Sequence, residues 1–251
     1  MKPAREHLRC FVVPEAWRGA VLAVDETEAH HLVNVLRARL GERVEVFDGA
    51  GRTGLAEVAV IAKRGAELRL LEEQTRPRPA PELILVQALT REATMDFIVQ
   101  KAVELGAGAL YPVLTERSIV RLTPDQFAEK SARWQRIALN AARQSHAAWL
   151  MQIAAVQPLG HLFQTWEQPD FWFVGSLAAD ARPLRAALAA ARDQQPRRVA
   201  ALIGPEGDLT PDEYRAAANA GAVPVSFGAS VLRADTAAFY ALSALKFALT
   251  D

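Results

Sequence analysis

Two short turns near the C-terminus contain the charged residues and glycines that could form a binding or catalytic site. The first turn, 204–209, reads Gly-Pro-Glu-Gly-Asp-Leu, and the second turn, 228–234, ends in Leu-Arg-Ala. Glu206 and Asp235 are carboxylates that could accept a proton, and Arg233 offers a planar fork of donors to an anion. Each also has a structural interpretation, because Asp235 can cap a helix while Glu206 and Arg233 can form ion pairs.

Each turn lies between a predicted strand and a predicted helix. Val199–Ile203 and Val223–Phe227 are short apolar runs with β-branched residues, which is the pattern of buried strands. Thr210 as N-cap and Glu213 three residues later predict a capping box, and Gly221 predicts the helix end. Because the carboxyl ends of parallel strands meet at one sheet edge, the two turns should lie side by side, where open α/β sheets bind ligands.

The second turn leads into a last helix that is rich in Ala and Leu, with Asp235 or Thr236 predicted as its N-cap. Neither turn matches GxGxxG or GxxxxGK[ST], and Pro205 lacks the backbone donor that a dinucleotide-binding loop would use. A nicotinamide-dependent oxidoreductase, which would share such a sheet, is therefore disfavoured. The residues taken alone favour a ligand site and an ordinary α/β turn about equally.

The composition predicts a soluble cytoplasmic protein without disulfides. The chain has 251 residues, a single cysteine (Cys10), and no hydrophobic signal segment or membrane-spanning run. Its 29 Lys and Arg balance 29 Asp and Glu, so net charge does not indicate a nucleic-acid partner. Only the middle part, 76–145, is net basic, with 10 basic against 7 acidic side chains. His30 and His31 lack a further ligand at helical spacing, and we predict no metal site.

The first 71 residues predict a small β-barrel with one helix. The helix, Glu26–Leu40, carries apolar residues at helical spacing. The next segment, Glu72–Pro81, reads EEQTRPRPAP, and its three prolines in five residues predict a linker. Five segments that alternate or are β-branched predict the strands of the barrel, at 7–13, 20–24, 43–48, 53–61 and 66–71.

Residues 82–251 predict a second, α/β domain in which strands and helices alternate. This alternation indicates a mostly parallel sheet covered on both faces, and general connection rules predict an open, unknotted sheet. Ahead of the two turns, the predicted strands lie at 83–89, 109–114 and 171–175, and the predicted helices at 94–105, 124–145 and 183–192.

The two turns and their flanks carry a family resemblance. LIGPEGDLTPDEY and VSFGASVLRADTAAFYAL closely resemble the two C-terminal motifs of the SPOUT methyltransferases, and among these the RsmE family. The usual forms in that family are IGPEGG and LGxxILRTETA. In this chain Asp208 stands where the family has Gly, Phe227 precedes Gly228, and Ala234 and Asp235 replace Thr and Glu.

Further segments extend the resemblance over nearly the whole chain. Near the N-terminus, HHL, VLR and Gly41 are similar to the PUA-like RNA-binding domain of the family, and QKAVELG, ERS and RW are similar to its methyltransferase domain. The segment AARQS begins a family motif that usually continues with Gly-Arg. Here His146 and Ala147 follow instead, so an arginine usual in the family is missing, and Arg143 could compensate for it.

The resemblance implies an α/β SPOUT domain with a deep trefoil knot at 82–251, preceded by a PUA-like β-barrel that binds RNA at 1–71. It implies S-adenosyl-L-methionine (SAM) as cofactor, a homodimer built on the knotted domain, and methyl transfer to N3 of a specific uridine in 16S ribosomal RNA of the small ribosomal subunit. The alternatives are a different ribosomal or transfer RNA nucleotide as the target, and a non-catalytic RNA-binding module.

The resemblance also implies roles for individual residues. Arg233 would stabilise the deprotonated uracil imide, and Asp235 or Glu206 would accept its proton. The implied cofactor contacts, mainly through backbone groups, are Leu202, Ile203, Gly204, Gly207, Phe227, Gly228, Ser230, Val231, Leu232, Thr236 and Gly175. The implied RNA contacts are His31, Arg37, Arg91, Arg117, Arg121 and Arg143.

Overall fold

The computed structural model describes residues 8–120 and 123–250, and the chain divides into two compact units. The N-terminal unit comprises Met1–Arg78 together with Ala142–Leu150, and the C-terminal unit comprises Pro79–Ala141 together with Met151–Asp251. The boundary between Arg78 and Pro79 falls within the predicted linker at 72–81, but the N-terminal unit also contains the segment 142–150, which was predicted to belong to the second domain. In the described part of the chain, no helix is long and apolar enough to cross a bilayer.

The N-terminal unit is a five-stranded sheet in the spatial order β1-β3-β4-β5-β2. β1 and β3 are parallel, and the other pairs are antiparallel. One face of the sheet buries an apolar core that includes Leu22, Leu32, Val46 and Leu68. The strands are β1 (Arg9–Phe11), β2 (Val21–Val24), β3 (Arg43–Phe47), β4 (Arg52–Ala62) and β5 (Gly65–Thr75).

The helix predicted at Glu26–Leu40 is much shorter in the structure. α1 (Glu26–His30) continues into a single π-helical segment, His31–Val35, and the chain then leaves the helix. Arg37 has a φ of +56°, a left-handed conformation that ends helices. Leu40 is 63 % exposed, so it does not extend the apolar face, and the prediction of a helix to that residue is wrong.

The predicted linker also begins too early. β5 continues through 72–75 because β4 provides partners there, with Gln74 opposite Thr53 and Thr75 opposite Arg52. The stretch between β5 and the next strand, which starts at Glu82, is therefore limited to residues 76–81. The three prolines still lie in this stretch, since proline cannot donate to a sheet ladder.

The segment 142–150 packs within the N-terminal unit through hydrogen bonds to residues distant in sequence. The Arg9 guanidinium, 2 % exposed, donates to the carbonyl oxygens of Ala142 (2.5 Å) and Ala147 (2.9 Å). Trp149 donates its indole N–H to the carbonyl of Arg76 at 3.2 Å. These contacts join residues far apart in sequence, so no local pattern could have placed the segment in this unit.

The C-terminal unit is a parallel sheet in the order β11-β13-β10-β12-β6-β7-β8, with β9 beside β7. This confirms the predicted α/β class and parallel pairing. The strands are β6 (Glu82–Ala88), β7 (Ala107–Leu114), β8 (Gln152–Ile153), β9 (Gln157–Pro158), β10 (Phe171–Gly175), β11 (Arg182–Pro183), β12 (Arg198–Ile203) and β13 (Val223–Ser226). The helices are α2 (Glu92–Glu104), α3 (Pro124–Gln144), α4 (Leu159–Thr165), α5 (Leu184–Arg192), α6 (Pro211–Asn219) and α7 (Ala234–Leu249).

Helices cover the two faces of this sheet. On one side α7 lies over β6 and β12 and packs against α2 and α5. On the other side α4 and α6 cover a core that includes Ile84, Val86, Leu162, Trp172 and Ala217. Three elements with only two residues, β8, β9 and β11, were not predicted, because such short segments have no periodicity to detect.

Candidate active site

A cavity of about 750 Å³ lies at the carboxyl ends of β10, β12 and β13, a volume in the range of small-molecule sites. Both turns line it, as the parallel-strand argument predicts. The lining residues are Arg91, Thr94, Gly175, Ser176, Leu177, Ile203, Gly204, Pro205, Glu206, Asp208, Ser226, Phe227, Gly228, Ala229, Ser230, Val231, Leu232, Arg233, Ala234, Asp235 and Ala237.

The first turn is held at its end by the capping box of α6. Thr210 Oγ1 accepts from the Glu213 N–H at 3.3 Å, and Glu213 Oε2 accepts from the Thr210 N–H at 2.8 Å. Glu213 Oε1 accepts in addition from the Glu116 N–H at 2.8 Å. One carboxylate thus joins the start of α6 to the loop after β7, and this confirms the predicted helix start.

Asp208 in the first turn has an unusual backbone conformation. Its φ is +61°, in the left-handed region that favours glycine. Its Oδ1 accepts from the Leu209 N–H at 2.8 Å and from the Tyr214 hydroxyl at 2.7 Å. The same hydroxyl lies 3.0 Å from the carbonyl oxygen of Gly175. Burial, and next the hydrogen bond to Asp208, raise the pKa of Tyr214 well above its usual value, so this hydroxyl stays protonated.

The second turn approaches the same cavity with few side-chain contacts. Gly228 has a φ of +114°, and its N–H lies 3.3 Å from Ser226 Oγ. Phe227 packs edge-on against Phe173 and closes over Gly175, where an added Cβ would lie 2.9 Å from the Phe227 ring. Gly175 is therefore required by the close approach of an aromatic ring.

The start of α7 differs from the prediction. The helix begins at Ala234 with Arg233 as its N-cap, and the Ala237 N–H bonds to the Arg233 carbonyl at 2.8 Å. Asp235 lies in the first turn of the helix and accepts from the Thr236 N–H at 2.7 Å. The prediction that Asp235 or Thr236 caps α7 is wrong, because helical hydrogen bonding starts before either residue.

Five residues with charged side chains line the cavity: Arg91, Glu206, Asp208, Arg233 and Asp235. Within residues 8–120 and 123–250, no ion pair joins Arg233 to Glu206 or to Asp235. The structural interpretation of Arg233 as half of such a pair therefore does not hold. The side chains of Arg233, Glu206 and Asp235 therefore remain available to a ligand.

The cavity gathers most of the cofactor residues named in the sequence analysis. Ile203, Gly204, Phe227, Gly228, Ser230, Val231, Leu232 and Gly175 line it. Leu202, Gly207 and Thr236 do not belong to the lining. Leu202 points into the core on the opposite face from Ile203, since successive side chains alternate along a strand. Gly207 lies against Arg117, where an added Cβ would be 3.2 Å from that side chain.

Two of the arginines assigned to RNA have other contacts in the structure. Arg117 donates to the carbonyl oxygens of Gly207 and Leu209, each at 3.3 Å, and so supports the first turn. Arg143 forms an ion pair with Glu28, and its side chain is 11 % exposed. The guanidinium that could have replaced the missing family arginine is thus engaged inside the N-terminal unit.

The other residues assigned to RNA lie in different settings. Arg37 is exposed in the N-terminal unit, and Arg91 lines the cavity as the N-cap of α2. His31 lies in the π-helical segment, where burial and the Arg143 charge lower the pKa of the imidazole. Arg121 lies outside the described residues. Among the side chains that are described, no group of His, Cys, Asp and Glu could hold a metal ion.

Sequence reasoning missed part of the site. Thr94 lines the cavity from α2, which is distant from the two turns in the chain. Tyr214 does not line the cavity, but its hydroxyl bonds to Asp208 in the first turn. Neither residue carries a local signal that would point to a ligand. Asp208 was noted only as a departure from a glycine, although its position in the turn could have suggested that its side chain matters.

Comparison with known proteins places these observations in a family. The profile described as RNA methyltransferase domain matches residues 76–246, and the profile described as RNA methyltransferase PUA domain matches residues 24–71. The ribosomal RNA small subunit methyltransferase E of Synechocystis sp. is 32% identical over 235 residues, which cover 94% of this chain and 76% of that protein. The enzyme of the same name from Mycobacterium tuberculosis is 31% identical over 229 residues, covering 90% of this chain and 86% of that protein.

Two solved structures resemble the whole chain. Ribosomal RNA small subunit methyltransferase E from Neisseria gonorrhoeae, bound to S-adenosyl methionine, matches with a TM-score of 0.83 and 28% identity over 96% of this chain and 97% of that one. A methyltransferase from Legionella pneumophila in complex with SAM matches with a TM-score of 0.86 and 28% identity over 97% and 98%. Since a family profile spans more than half of the chain and a relative above 30% identity matches over most of both lengths, this chain belongs to the RNA methyltransferase family, among the proteins named ribosomal RNA small subunit methyltransferase E.

Proposed function

We propose that this protein transfers a methyl group from SAM to N3 of a specific uridine in 16S ribosomal RNA of the small ribosomal subunit. The observation that carries this proposal is that both family motifs line one cavity, and that Arg233, Glu206 and Asp235 belong to its lining. Relatives whose names state small-subunit ribosomal RNA methylation, and neighbours that bind SAM, support the substrate and the cofactor.

The cavity fits a cofactor with the size and polarity of SAM. Its volume of about 750 Å³ is sufficient, and most of its lining residues belong to the two turns, whose backbone can offer N–H and C=O groups to an adenine or a ribose. Gly204, Gly228 and Gly175 let the backbone approach a ligand closely, and a side chain at Gly175 would collide with Phe227. The residues we assign to the cofactor are therefore the lining members of the set named in the sequence analysis.

The chemistry requires a nucleophile at a nitrogen that normally carries a proton. SAM supplies a sulfonium-activated methyl group. Arg233, exposed and without an ion-pair partner among the described residues, can place its donors on the uracil oxygens and so stabilise the imide anion. Asp235 or Glu206 can take the N3 proton, since both carboxylates line the same cavity.

We assign RNA binding mainly to the N-terminal unit, as a PUA-like domain at 1–71. Arg37 is its best-placed candidate, because it is exposed and held by a left-handed turn. Arg37→Glu should lower the affinity for ribosomal RNA and leave SAM affinity within about twofold, because a phosphate contact acts on RNA alone. Arg39→Glu is the matched control, since Arg39 is exposed two residues away. Equal losses in the two variants would mean that the effect is one of net charge.

We also propose the trefoil knot of the SPOUT class and a homodimer. The dimer is supported by apolar side chains that α7 and α2 leave exposed: Phe247 (92 %), Tyr240 (47 %) and Phe97 (44 %). Sedimentation at micromolar concentration should give a dimer for the wild-type chain and a monomer for Phe247→Asp. A monomeric wild-type chain would remove the dimer from the proposal.

The main experiment combines SAM titration with mapping of modified uridines in 16S ribosomal RNA from cells that lack the gene. We expect SAM binding, loss of one N3-methyluridine in the deletion strain, and its return when the purified protein and SAM are added to small subunits. SAM binding with an unchanged 16S pattern would point to another RNA, and absent SAM binding would point to a non-catalytic RNA-binding module.

A further inference from the structure

The first turn is tied to a neighbouring strand by a hydroxyl beneath the cavity. Tyr214 Oη on α6 lies 2.7 Å from Asp208 Oδ1 in the first turn and 3.0 Å from the carbonyl oxygen of Gly175 at the end of β10. Asp208 and Gly175 both line the cavity, whereas Tyr214 does not. The tyrosine thus connects two walls of the site from outside it.

The Tyr214 hydroxyl has one proton to donate, and both the Asp208 carboxylate and the Gly175 carbonyl lie within reach of it, with the Ser176 side chain as a further hydrogen-bond partner. A hydrogen bond to a carboxylate is stronger than one to a neutral carbonyl, so the Tyr214 hydroxyl donates mainly to Asp208 Oδ1. The same oxygen also accepts from the Leu209 N–H at 2.8 Å. Two donors therefore fix the Asp208 carboxylate in one orientation.

The backbone at Asp208 shows why this tether matters. A φ of +61° strains the backbone of any residue that carries a side chain, whereas glycine adopts it freely. Aspartate tolerates this region best when its short side chain bonds locally, as it does here. The Asp208 contacts thus offset strain within the first turn, from which Gly204 and Glu206 line the cavity.

We propose that Tyr214 and Asp208 act together as a positioning pair that shapes the first turn for cofactor binding before the cofactor arrives. This inference rests on the proposed function. Neither residue is assigned a part in the methyl transfer itself, so the pair should govern the affinity for SAM and leave the reaction of the bound complex largely unchanged.

A double-mutant cycle on SAM affinity tests the pair. Tyr214→Phe should weaken SAM binding by about tenfold, the scale of losing one hydrogen bond to a charged group. Asp208→Ala removes the carboxylate and keeps a side chain at the left-handed φ, so Tyr214→Phe in the Asp208→Ala background should cost only about threefold, because the hydroxyl can still donate to the Gly175 carbonyl. At saturating SAM, turnover of each variant should stay within about threefold of the wild type.

Two further variants separate positioning from other effects. Asp208→Asn keeps an acceptor for the Tyr214 hydroxyl and tolerates the left-handed backbone, so it should retain SAM affinity to within about threefold. Tyr111→Phe removes a hydroxyl from a tyrosine of the same unit that does not line the cavity, and it should leave SAM affinity unchanged.

The outcomes are distinct. Additive losses in the cycle, or an Asp208→Asn variant as weak as Asp208→Ala, would overturn the pair while leaving the proposed function in place. A wild-type chain that does not bind SAM would overturn the proposed function and this inference with it. If Tyr214→Phe fails to fold, the comparison of Asp208→Asn with Asp208→Ala still decides, since both variants keep the tyrosine.

Discussion

The two turns that form the cavity are supported in opposite ways. Side chains from outside the first turn hold it: Tyr214, Glu213 and Arg117 all bond to it or to its end. The second turn has a local contact between Ser226 and Gly228, and Val231 at its centre is 75 % exposed. From this difference we expect the first turn to be preformed and the second turn to adjust more when a ligand binds.

The largest expected effect tests whether Arg233, at the end of the second turn, serves chemistry. Arg233→Ala should lower single-turnover methyl transfer on small subunits by about a hundredfold or more, the scale of losing one charge at a developing anion. SAM affinity, measured by calorimetry, should change by less than about tenfold, because the backbone of the turn remains.

Two controls sharpen that result. The deficit of Arg233→Ala should shrink at higher pH, because the uracil imide then ionises without the guanidinium. Arg233→Lys should recover only part of the rate, since an ammonium lacks the planar fork. Loss of SAM binding with normal turnover of the residual complex would make Arg233 a structural residue.

The next effect tests whether the second turn lacks support of its own. Gly228→Ala introduces a side chain at a φ of +114°, with no atom within 4 Å to collide with it, so its cost is backbone strain. An unliganded turn with few contacts can relax this strain by shifting its backbone, so the melting temperature without ligand should change by less than about 2 °C. SAM affinity should fall by about tenfold, because binding requires the original backbone conformation again. Gly160→Ala is the matched control, because Gly160 also has open space but no left-handed φ. A large drop in melting temperature for Gly228→Ala would show that the second turn is as firmly built as the first.

The smallest expected effect on SAM affinity comes from removing the Glu213 carboxylate, which braces the end of the first turn through its bonds to Thr210 and Glu116. Glu213→Ala removes a cap contact and the bond to the Glu116 N–H, which together should cost about 2 kcal/mol of stability. The melting temperature should then fall by about 4–8 °C, and SAM affinity by only about threefold. Glu213→Gln keeps the acceptor oxygen of the capping box and should lose less than half as much. An unchanged melting temperature for Glu213→Ala would mean that the first turn does not depend on this brace.

Local sequence predicted the elements around the site well. The apolar run before the first turn became β12, and Thr210 with Glu213 became a complete capping box, because both signals act within a few residues. The end of α1 was missed because the left-handed φ at Arg37 has no reliable sequence signal when the residue is not glycine. The start of α7 was missed for a related reason, since an aspartate in the first helical turn looks much like a cap.

By itself, the sequence determined the class of the protein and the identity of most of the cavity. Periodicity, turn residues and two motifs predicted a parallel sheet with two ligand-facing turns, and eight of the eleven proposed cofactor residues line the observed cavity. Only the tertiary structure decided which charged side chains form contacts within the protein and which stay available to a ligand. It paired Arg143 with Glu28, placed Arg117 against the carbonyls of the first turn, and left Arg233 without an ion-pair partner among the described residues. The physical reason is that an ion pair or a tether joins groups that are distant in the chain, and their distance is set only when the sheet and helices have packed.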